Sequence, residues 1–219
     1  MNNSEFPYQL YLVISEEACA GRDLVQVAEQ AVKGGVDIVQ LREKKDSFST
    51  FLAKAGKLQE MLSRYNVPLI INDNLQVANV IGAYGIHVGN NDISPMEIRK
   101  NWSQCKILGY SIEYMDQLYN EHTYTADYLG ISPVFRTPTK TDTVTEWGLH
   151  GIRQIREATT KPLVAIGNIN ADNAFDIINA GADCIAVVSA ICKAINPEKA
   201  ANKIKNQIEK SVKMAQNRY

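Results

Sequence analysis

The 219-residue chain predicts an α/β fold, a (β/α)8 TIM barrel. Short Val- and Ile-rich runs alternate with helical patterns along the whole chain. The runs are continuously apolar rather than alternating, as strands covered on both faces require. No Pro/Ser-rich linker or composition break divides the chain, so residues 1–219 read as one domain. The same alternation permits an open doubly wound sheet, which is the main rival. The length lies below the roughly 250 residues typical of the barrel, which leaves little room for a second domain.

The elements follow in order. The first strand spans Leu10 to Ile14, and Leu24, Val27, Ala28, Ala31 and Val32 then fall at helical spacing. Gly34-Gly35 stops that helix before the strand Ile38 to Leu41. Phe51, Leu52, Ala55, Leu58 and Leu62 mark the next helix, and Leu69 to Ile71 the third strand. Gly82 is placed as a helix stop before Ile86 to Val88, and Ser94-Pro95 reads as the N-cap and first residue of the next helix. The remaining strands are Ile107 to Tyr110, Tyr128 to Ile131, Leu163 to Ile166 and Cys184 to Val188, with Gly181 ending the last intervening helix. A weak internal echo runs through this order. Gly34-Gly35-Val36-Asp37-Ile38-Val39 resembles Ala180-Gly181-Ala182-Asp183-Cys184-Ile185, and Gly82-Ala83-Tyr84-Gly85-Ile86-His87 is a looser copy.

Composition excludes several classes. Lys plus Arg is 23 against 24 Asp plus Glu, a net charge of −1, without the basic footprint of a nucleic-acid or anionic-membrane binder. An apolar content of 45% at low net charge disfavours disorder. Met1 to Pro7 carries no basic n-region, and Leu10 to Ile14 is too short for a signal or a membrane span. Cys19, Cys105, Cys184 and Cys192 form no C-x-x-C pair, so structural zinc and a disulfide framework are disfavoured. A cytoplasmic protein with reduced thiols is expected, with Cys184 as a small buried hydrophobe.

In barrels the site lies at the C-terminal ends of the strands. Strand two runs into Gln40, Arg42 and Lys44, strand three into Asn72 and Asp73, strand four into Gly89 and Asp92, and strand five into Ser111. Strand six is followed by Thr137-Pro138-Thr139-Lys140, strand seven by Gly167-Asn168 and strand eight by Ser189. Helix capping would account for Ser111 and Ser189, but not for Gln40, Arg42 and Lys44 together. Asp73 and Asp92 come from adjacent strands and could jointly hold Mg²⁺, a hard cation that prefers oxygen. Helix capping competes as the role of each Asp, less so for Asp92 because Ser94 is the better cap. Arg42, Lys44 and Lys140 are donors suited to a diphosphate. Gly167-Asn168-Ile169 and Val188-Ser189-Ala190 suggest a second anion site, where barrels commonly bind phosphate.

None of His87, His122 and His150 falls at a strand exit, so a histidine base or a histidine metal site is disfavoured. No nucleophile elbow, G-x-x-x-x-G-K-[ST] loop or G-x-G-x-x-G turn occurs. The inventory suits electrostatic handling of phosphates better than proton shuttling.

Taken together, Gln40-Leu41-Arg42-Glu43-Lys44, Ile71-Asn72-Asp73, His87-Val88-Gly89 with Asp92, Thr137-Pro138-Thr139-Lys140 and Val188-Ser189-Ala190-Ile191 closely resemble the thiamine phosphate synthase family. The similarity runs in order from about Tyr8 to about Ile208. The resemblance implies a (β/α)8 barrel and a transferase of thiamine biosynthesis. It would condense hydroxymethylpyrimidine diphosphate with hydroxyethylthiazole phosphate to give thiamine phosphate and pyrophosphate. By motif match, Gln40 and Asn72 would hold the aminopyrimidine, Arg42, Lys44, Ser111 and Lys140 the diphosphate, and Asp73 and Asp92 Mg²⁺. Thr137, Thr139, Gly167, Val188 and Ser189 would receive the thiazole phosphate. Three residues depart from the family pattern: Asn168 replaces the second glycine of a pair, Ser132 replaces a common glycine, and Arg136 stands where a small residue or Pro is frequent.

Two other functions compete: a thiazole tautomerase on the same barrel, which needs a proton-transferring group, and a non-catalytic binder of phosphorylated thiamine precursors. The expected partners are small phosphorylated molecules, with no nucleic acid and no membrane, and a homo-oligomer is possible. The polar, Thr-rich stretch from Arg136 to Glu146 is long for a strand–helix connection and is expected to act as a lid.

Overall fold

In a computed structural model, eight parallel strands close in sequence order into one barrel, β1 pairing with both β2 and β8. The structure describes residues 6–136 and 145–216. The strands are β1 (Leu10–Ile14), β2 (Ile38–Leu41), β3 (Leu69–Asn72), β4 (Gly85–Val88), β5 (Ile107–Ile112), β6 (Tyr128–Ile131), β7 (Leu163–Ile166) and β8 (Cys184–Val187). The closed barrel excludes the open doubly wound sheet. The helices are α1 (Glu16–Cys19), α2 (Leu24–Lys33), α3 (Phe48–Ser63), α4 (Leu75–Val80), α5 (Pro95–Asn101), α6 (Glu121–Thr125), α7 (Gly148–Ala158), α8 (Ala174–Asn179), α9 (Ser189–Cys192) and α10 (Pro197–Gln216). No helix among the described residues is long and apolar enough to cross a membrane.

The strands are apolar without alternation because both faces are covered. Leu10, Leu12 and Ile14 face the helices, in one cluster with Val27, Ala28 and Ala31 of α2 and Phe51, Ala55 and Leu58 of α3. Tyr11, Val13, Ile38, Ile70, Ile107, Tyr128, Val164, Cys184 and Ala186 form a second cluster inside the barrel, with Phe6 packed among them. Cys184 is fully buried there, and all four cysteines are free and buried. The helix stops fall where the glycines put them: Gly35, Gly82 and Gly181 have φ of 102°, 59° and 117°, conformations that side chains resist.

The internal echo has a physical basis. Asp37, just before β2, accepts from the backbone N–H of Gln9 (3.0 Å) and Leu10 (2.9 Å) and from Lys205 Nζ (2.6 Å). Asp183, just before β8, accepts from Leu163 N–H (2.8 Å) and from Arg156 (2.9 Å). Asp127, before β6, repeats the device on Leu108 N–H (2.6 Å) with Arg99 as its cation. Each aspartate ties the start of one strand to the next and is neutralised from the helical layer. The looser copy before β4 has Tyr84-Gly85 instead, and there Tyr84 N–H donates to the Leu69 carbonyl (3.0 Å). Asp37→Ala strands two N–H donors and Lys205, so it is expected to cost about 3 kcal/mol. Chemical denaturation would show this as a lower midpoint at unchanged slope.

Candidate active site

Side chains two residues apart on a strand share a face, and the inward parity carries the polar groups to one end of the barrel. Along β1 these are Tyr11, Val13 and Ser15, and along β2 they are Gln40, Arg42 and Lys44. Asn72 ends β3, His87 and Gly89 continue the inward face of β4, and Ser111 that of β5. Tyr128 and Gly130 of β6, Val164 and Ile166 of β7, and Ala186 and Val188 at β8 complete the wall. Together with Asp73, Asp92, Gly167, Asn168, Ser189 and Lys193 they line a cavity of about 410 Å³. The structure thus brings together ten of the thirteen site residues expected from the sequence: Gln40, Arg42, Lys44, Asn72, Asp73, Asp92, Ser111, Gly167, Val188 and Ser189. Thr137, Thr139 and Lys140 lie outside the described residues, as does most of the expected lid.

The carboxylates sit side by side, and neither caps a helix. Asp73 has φ of 60°, a left-handed turn that ends β3, while Asn74 caps α4 by accepting from Val77 N–H (2.9 Å). Asp92 bends back to accept from Gly89 N–H (2.8 Å), while Ser94 and Glu97 close a capping box on α5. Asn90 pins the same loop, accepting from Tyr110 (2.5 Å) and Gln117 (2.6 Å). Lys44 is ion-paired with Asp73, which also accepts from Asn72 Nδ2 (2.5 Å). Burial, aided by Asp92 alongside and opposed by Lys44, pushes Asp73 up to about 6. Burial also works against Asp92, but hydrogen bonds from Asp73 and the Gly89 N–H, with the charge of Lys44, outweigh it and hold Asp92 below the usual carboxylate range. The two therefore compete to ionise, a pair that a divalent cation would relieve.

The cations on the rim are differently committed. Glu43 accepts from Glu16 N–H (2.8 Å) and lies 3.6 Å from Lys54, which anchors the turn between Arg42 and Lys44. The Arg42 side chain has no hydrogen bond or ion pair to another described residue, so its planar fork is available to an anion in the cavity.

At the opposite wall, Gly167 has φ of 119°, and a Cβ there would lie 2.6 Å from Pro133 Cβ and 2.9 Å from Val134 N. Only glycine fits. Asn168 follows at φ of 51°, a conformation Asn accepts more readily than most residues, so the turn survives the loss of its second glycine. Ser132 lines the cavity and Arg136 is exposed. Arg22 holds this side down by donating to the carbonyls of Cys192 and Ala194, the latter at 2.7 Å, at the end of α9.

The capping alternative for Ser111 and Ser189 is not what the structure shows, and both line the cavity as expected. Ser111 lies within β5 and is hydrogen-bonded to His87, while Ser189 is the first residue of α9, whose cap position is Val188. His87, not among the expected site residues because it sits inside a strand rather than at its exit, nonetheless lines the cavity through its inward parity. Tyr11, Tyr128 and Lys193 were likewise missed. For the tyrosines, the period-two parity within β1 and β6 was the available signal.

A family model described as thiamine monophosphate synthase matches residues 10–191. The chain belongs to the thiamine monophosphate synthase family. It is 45% identical over 201 residues to a thiamine-phosphate synthase from Albidiferax ferrireducens, covering 92% of each chain. A thiamine-phosphate synthase from Leptospira biflexa is 44% identical over 90% of this chain and 96% of its own. Among solved structures, thiamine phosphate pyrophosphorylase from Pyrococcus furiosus superposes with a TM-score of 0.86 at 27% identity, covering 96% of this chain and all of its own. The family's barrel is therefore the fold described above.

Proposed function

We propose that this chain condenses hydroxymethylpyrimidine diphosphate with hydroxyethylthiazole phosphate, releasing pyrophosphate and forming thiamine phosphate. The observation that carries this reading is the pair of carboxylates, Asp73 and Asp92, that line the cavity beside Lys44 and Arg42, above a floor of uncharged polar groups. Gln40 and Asn72, 4% and 7% exposed, hold the aminopyrimidine through their amides. Arg42, Lys44 and Ser111, with Lys140, hold the diphosphate. Gly167, Val188 and Ser189, with Thr137 and Thr139, receive the thiazole phosphate.

Asp73 and Asp92 fit Mg²⁺. They offer an all-oxygen donor set, and burial and mutual repulsion already work against their holding two negative charges uncompensated. Mg²⁺ usually keeps several waters and substrate oxygens, so one or two protein carboxylates suffice to hold it. Bound there, Mg²⁺ supplies positive charge to the diphosphate oxygens.

The chemistry needs no base. The C–O bond between the pyrimidine methylene and the diphosphate breaks, and its electron pair leaves with pyrophosphate. The electron-rich aminopyrimidine bears the positive charge until the thiazole nitrogen lone pair forms the C–N bond. That nitrogen carries no proton, so none is abstracted. The work of the protein is to stabilise charge growing on pyrophosphate with preorganised donors, here Arg42, Lys44 and Ser111. A tautomerase would need a proton-transferring group, and the one histidine among the residues that line the cavity, His87, has both ring nitrogens engaged, by Tyr128 and Ser111. The test is to supply both phosphorylated halves with and without Mg²⁺ and measure pyrophosphate and thiamine phosphate. Stoichiometric release of both only with Mg²⁺ is expected. Binding of the halves without release overturns the reading in favour of a binding protein, and conversion of the thiazole half alone favours a tautomerase.

A further inference from the structure

Five side chains from five strands form one hydrogen-bonded chain across the cavity floor. Gln40 Nε2 of β2 donates to Tyr11 OH of β1 at 2.9 Å, and Tyr11 OH lies 3.1 Å from Tyr128 OH of β6. Tyr128 OH is 3.0 Å from His87 Nδ1 of β4, and His87 Nε2 is 2.8 Å from Ser111 Oγ of β5. Two inward glycines make the slot. A Cβ at Gly109 would lie 2.2 Å from Tyr128 Cζ and 2.3 Å from His87 Nδ1, and one at Gly130 would lie 3.0 Å from His87 Cε1. Within the slot the His87 and Tyr128 rings are stacked, with centroids 5.5 Å apart and planes at 27°.

Counting protons along this chain gives it a direction. The Gln40 amide nitrogen can only donate, so the Tyr11 oxygen accepts. Tyr11 and Tyr128 are fully buried, and burial pushes both phenols up, so each keeps its one proton. Among the described residues the Tyr11 hydroxyl has only Gln40 and Tyr128 as partners, so its proton goes to the Tyr128 oxygen. The Tyr128 proton then goes to His87 Nδ1. With Nδ1 accepting, the imidazole is neutral, carries its proton on Nε2 and donates it to Ser111 Oγ. The Ser111 oxygen is thereby occupied as an acceptor from below, and its own proton is left for the cavity.

We propose that Tyr11, Tyr128 and His87 are positioning residues whose directional hydrogen bonds fix Ser111 as a donor to the departing diphosphate. The chain gives Ser111 one polarity before substrate arrives, and head-to-tail hydrogen bonds strengthen one another as charge grows on the acceptor. No proton changes owner. The same polarity turns Gln40 Oε1 away from Tyr11, as an acceptor. The identity of the acceptor as a diphosphate rests on the function proposed above, while the polarity of the chain does not.

NMR and kinetics separate the polarity of the chain from the identity of its acceptor. In ¹⁵N-histidine NMR of the substrate-free chain, the His87 signals, assigned by their loss in His87→Gln, are expected to show a neutral ring protonated on Nε2. A ring protonated on Nδ1, or a cation at about pH 8, overturns the polarity whatever the reaction. In Tyr128→Phe the preference for Nε2–H is expected to relax, and Tyr11→Phe serves if that variant does not fold. In kinetics, Ser111→Ala and Tyr128→Phe are each expected to lower kcat at least tenfold with KM for the thiazole phosphate unchanged. The double variant is expected to be no slower than Ser111→Ala alone. Losses that multiply would overturn the role of the chain as a relay to Ser111. An Nε2–H tautomer in a wild-type chain that releases no pyrophosphate would overturn the diphosphate as recipient, and leave the polarity standing.

Discussion

Replacing Asp92 by alanine is expected to abolish Mg²⁺-dependent pyrophosphate release while leaving the barrel folded. Asp92 does not cap α5, which Ser94 and Glu97 cap by themselves, and among the described residues it accepts a hydrogen bond from the Gly89 N–H of its own loop. Its removal therefore spares the helix but halves the carboxylate pair. With one carboxylate left, and that one ion-paired with Lys44, a weakly held cation has little to grip. In the proposed reaction, losing a cation that faces the leaving group would cost about 3–4 kcal/mol in the transition state, or on the order of 10²–10³ in kcat. Steady-state release of pyrophosphate across a Mg²⁺ titration reads this directly, with thermal melting as the control for folding. Full activity in the variant would remove Asp92 from the metal site.

Arg42→Ala is expected to lower kcat/KM for the pyrimidine diphosphate by about 30-fold to 10³-fold, equivalent to about 2–4 kcal/mol, with KM for the thiazole phosphate little changed. Arg42 stands on the inward parity of β2, between Gln40 and Lys44, and its guanidinium has no other described partner to satisfy. Stability should therefore change little, because no native ion pair is lost. Arg42→Lys is expected to recover only part of the loss, since an ammonium cannot reproduce a planar two-point contact to phosphate oxygens. Full recovery by lysine would mean that Arg42 acts only as a point charge.

Most of the fold was legible because parallel strands buried on both faces leave a strong mark, an unbroken apolar run. The runs at Leu10–Ile14, Ile38–Leu41, Tyr128–Ile131 and Leu163–Ile166 coincide with β1, β2, β6 and β7. At two boundaries the strand continued into polar residues: Asn72 closes β3, and Ser111 lies inside β5, its side chain facing the barrel interior, whereas β4 begins one residue earlier, at Gly85, and β8 ends one residue earlier, at Val187. The echo around Asp37 and Asp183 was visible, but its purpose was not. It became clear only when each aspartate was seen to bind the start of the preceding strand.

The site divides along the same line. Residues that project from strand ends, such as Arg42, Lys44, Asp73 and Asp92, could be located by counting, because a barrel delivers every strand end to one rim. Groups within strands could not be ranked that way. His87, Tyr11 and Tyr128 lie within strands, where burial by itself does not say which side of the strand wall a residue occupies.

By itself, then, the sequence determined the barrel, the polar rim and the family, since each depends on local periodicity or on an ordered set of short motifs. Only the tertiary structure decided that the two aspartates share one cavity rather than cap two helices. It likewise decided that Gln40, Tyr11, Tyr128, His87 and Ser111 form one directional chain. Both depend on strand registry around a closed barrel, where residues as far apart in the chain as Tyr11 and Tyr128 come to 3.1 Å, a closeness no local pattern encodes.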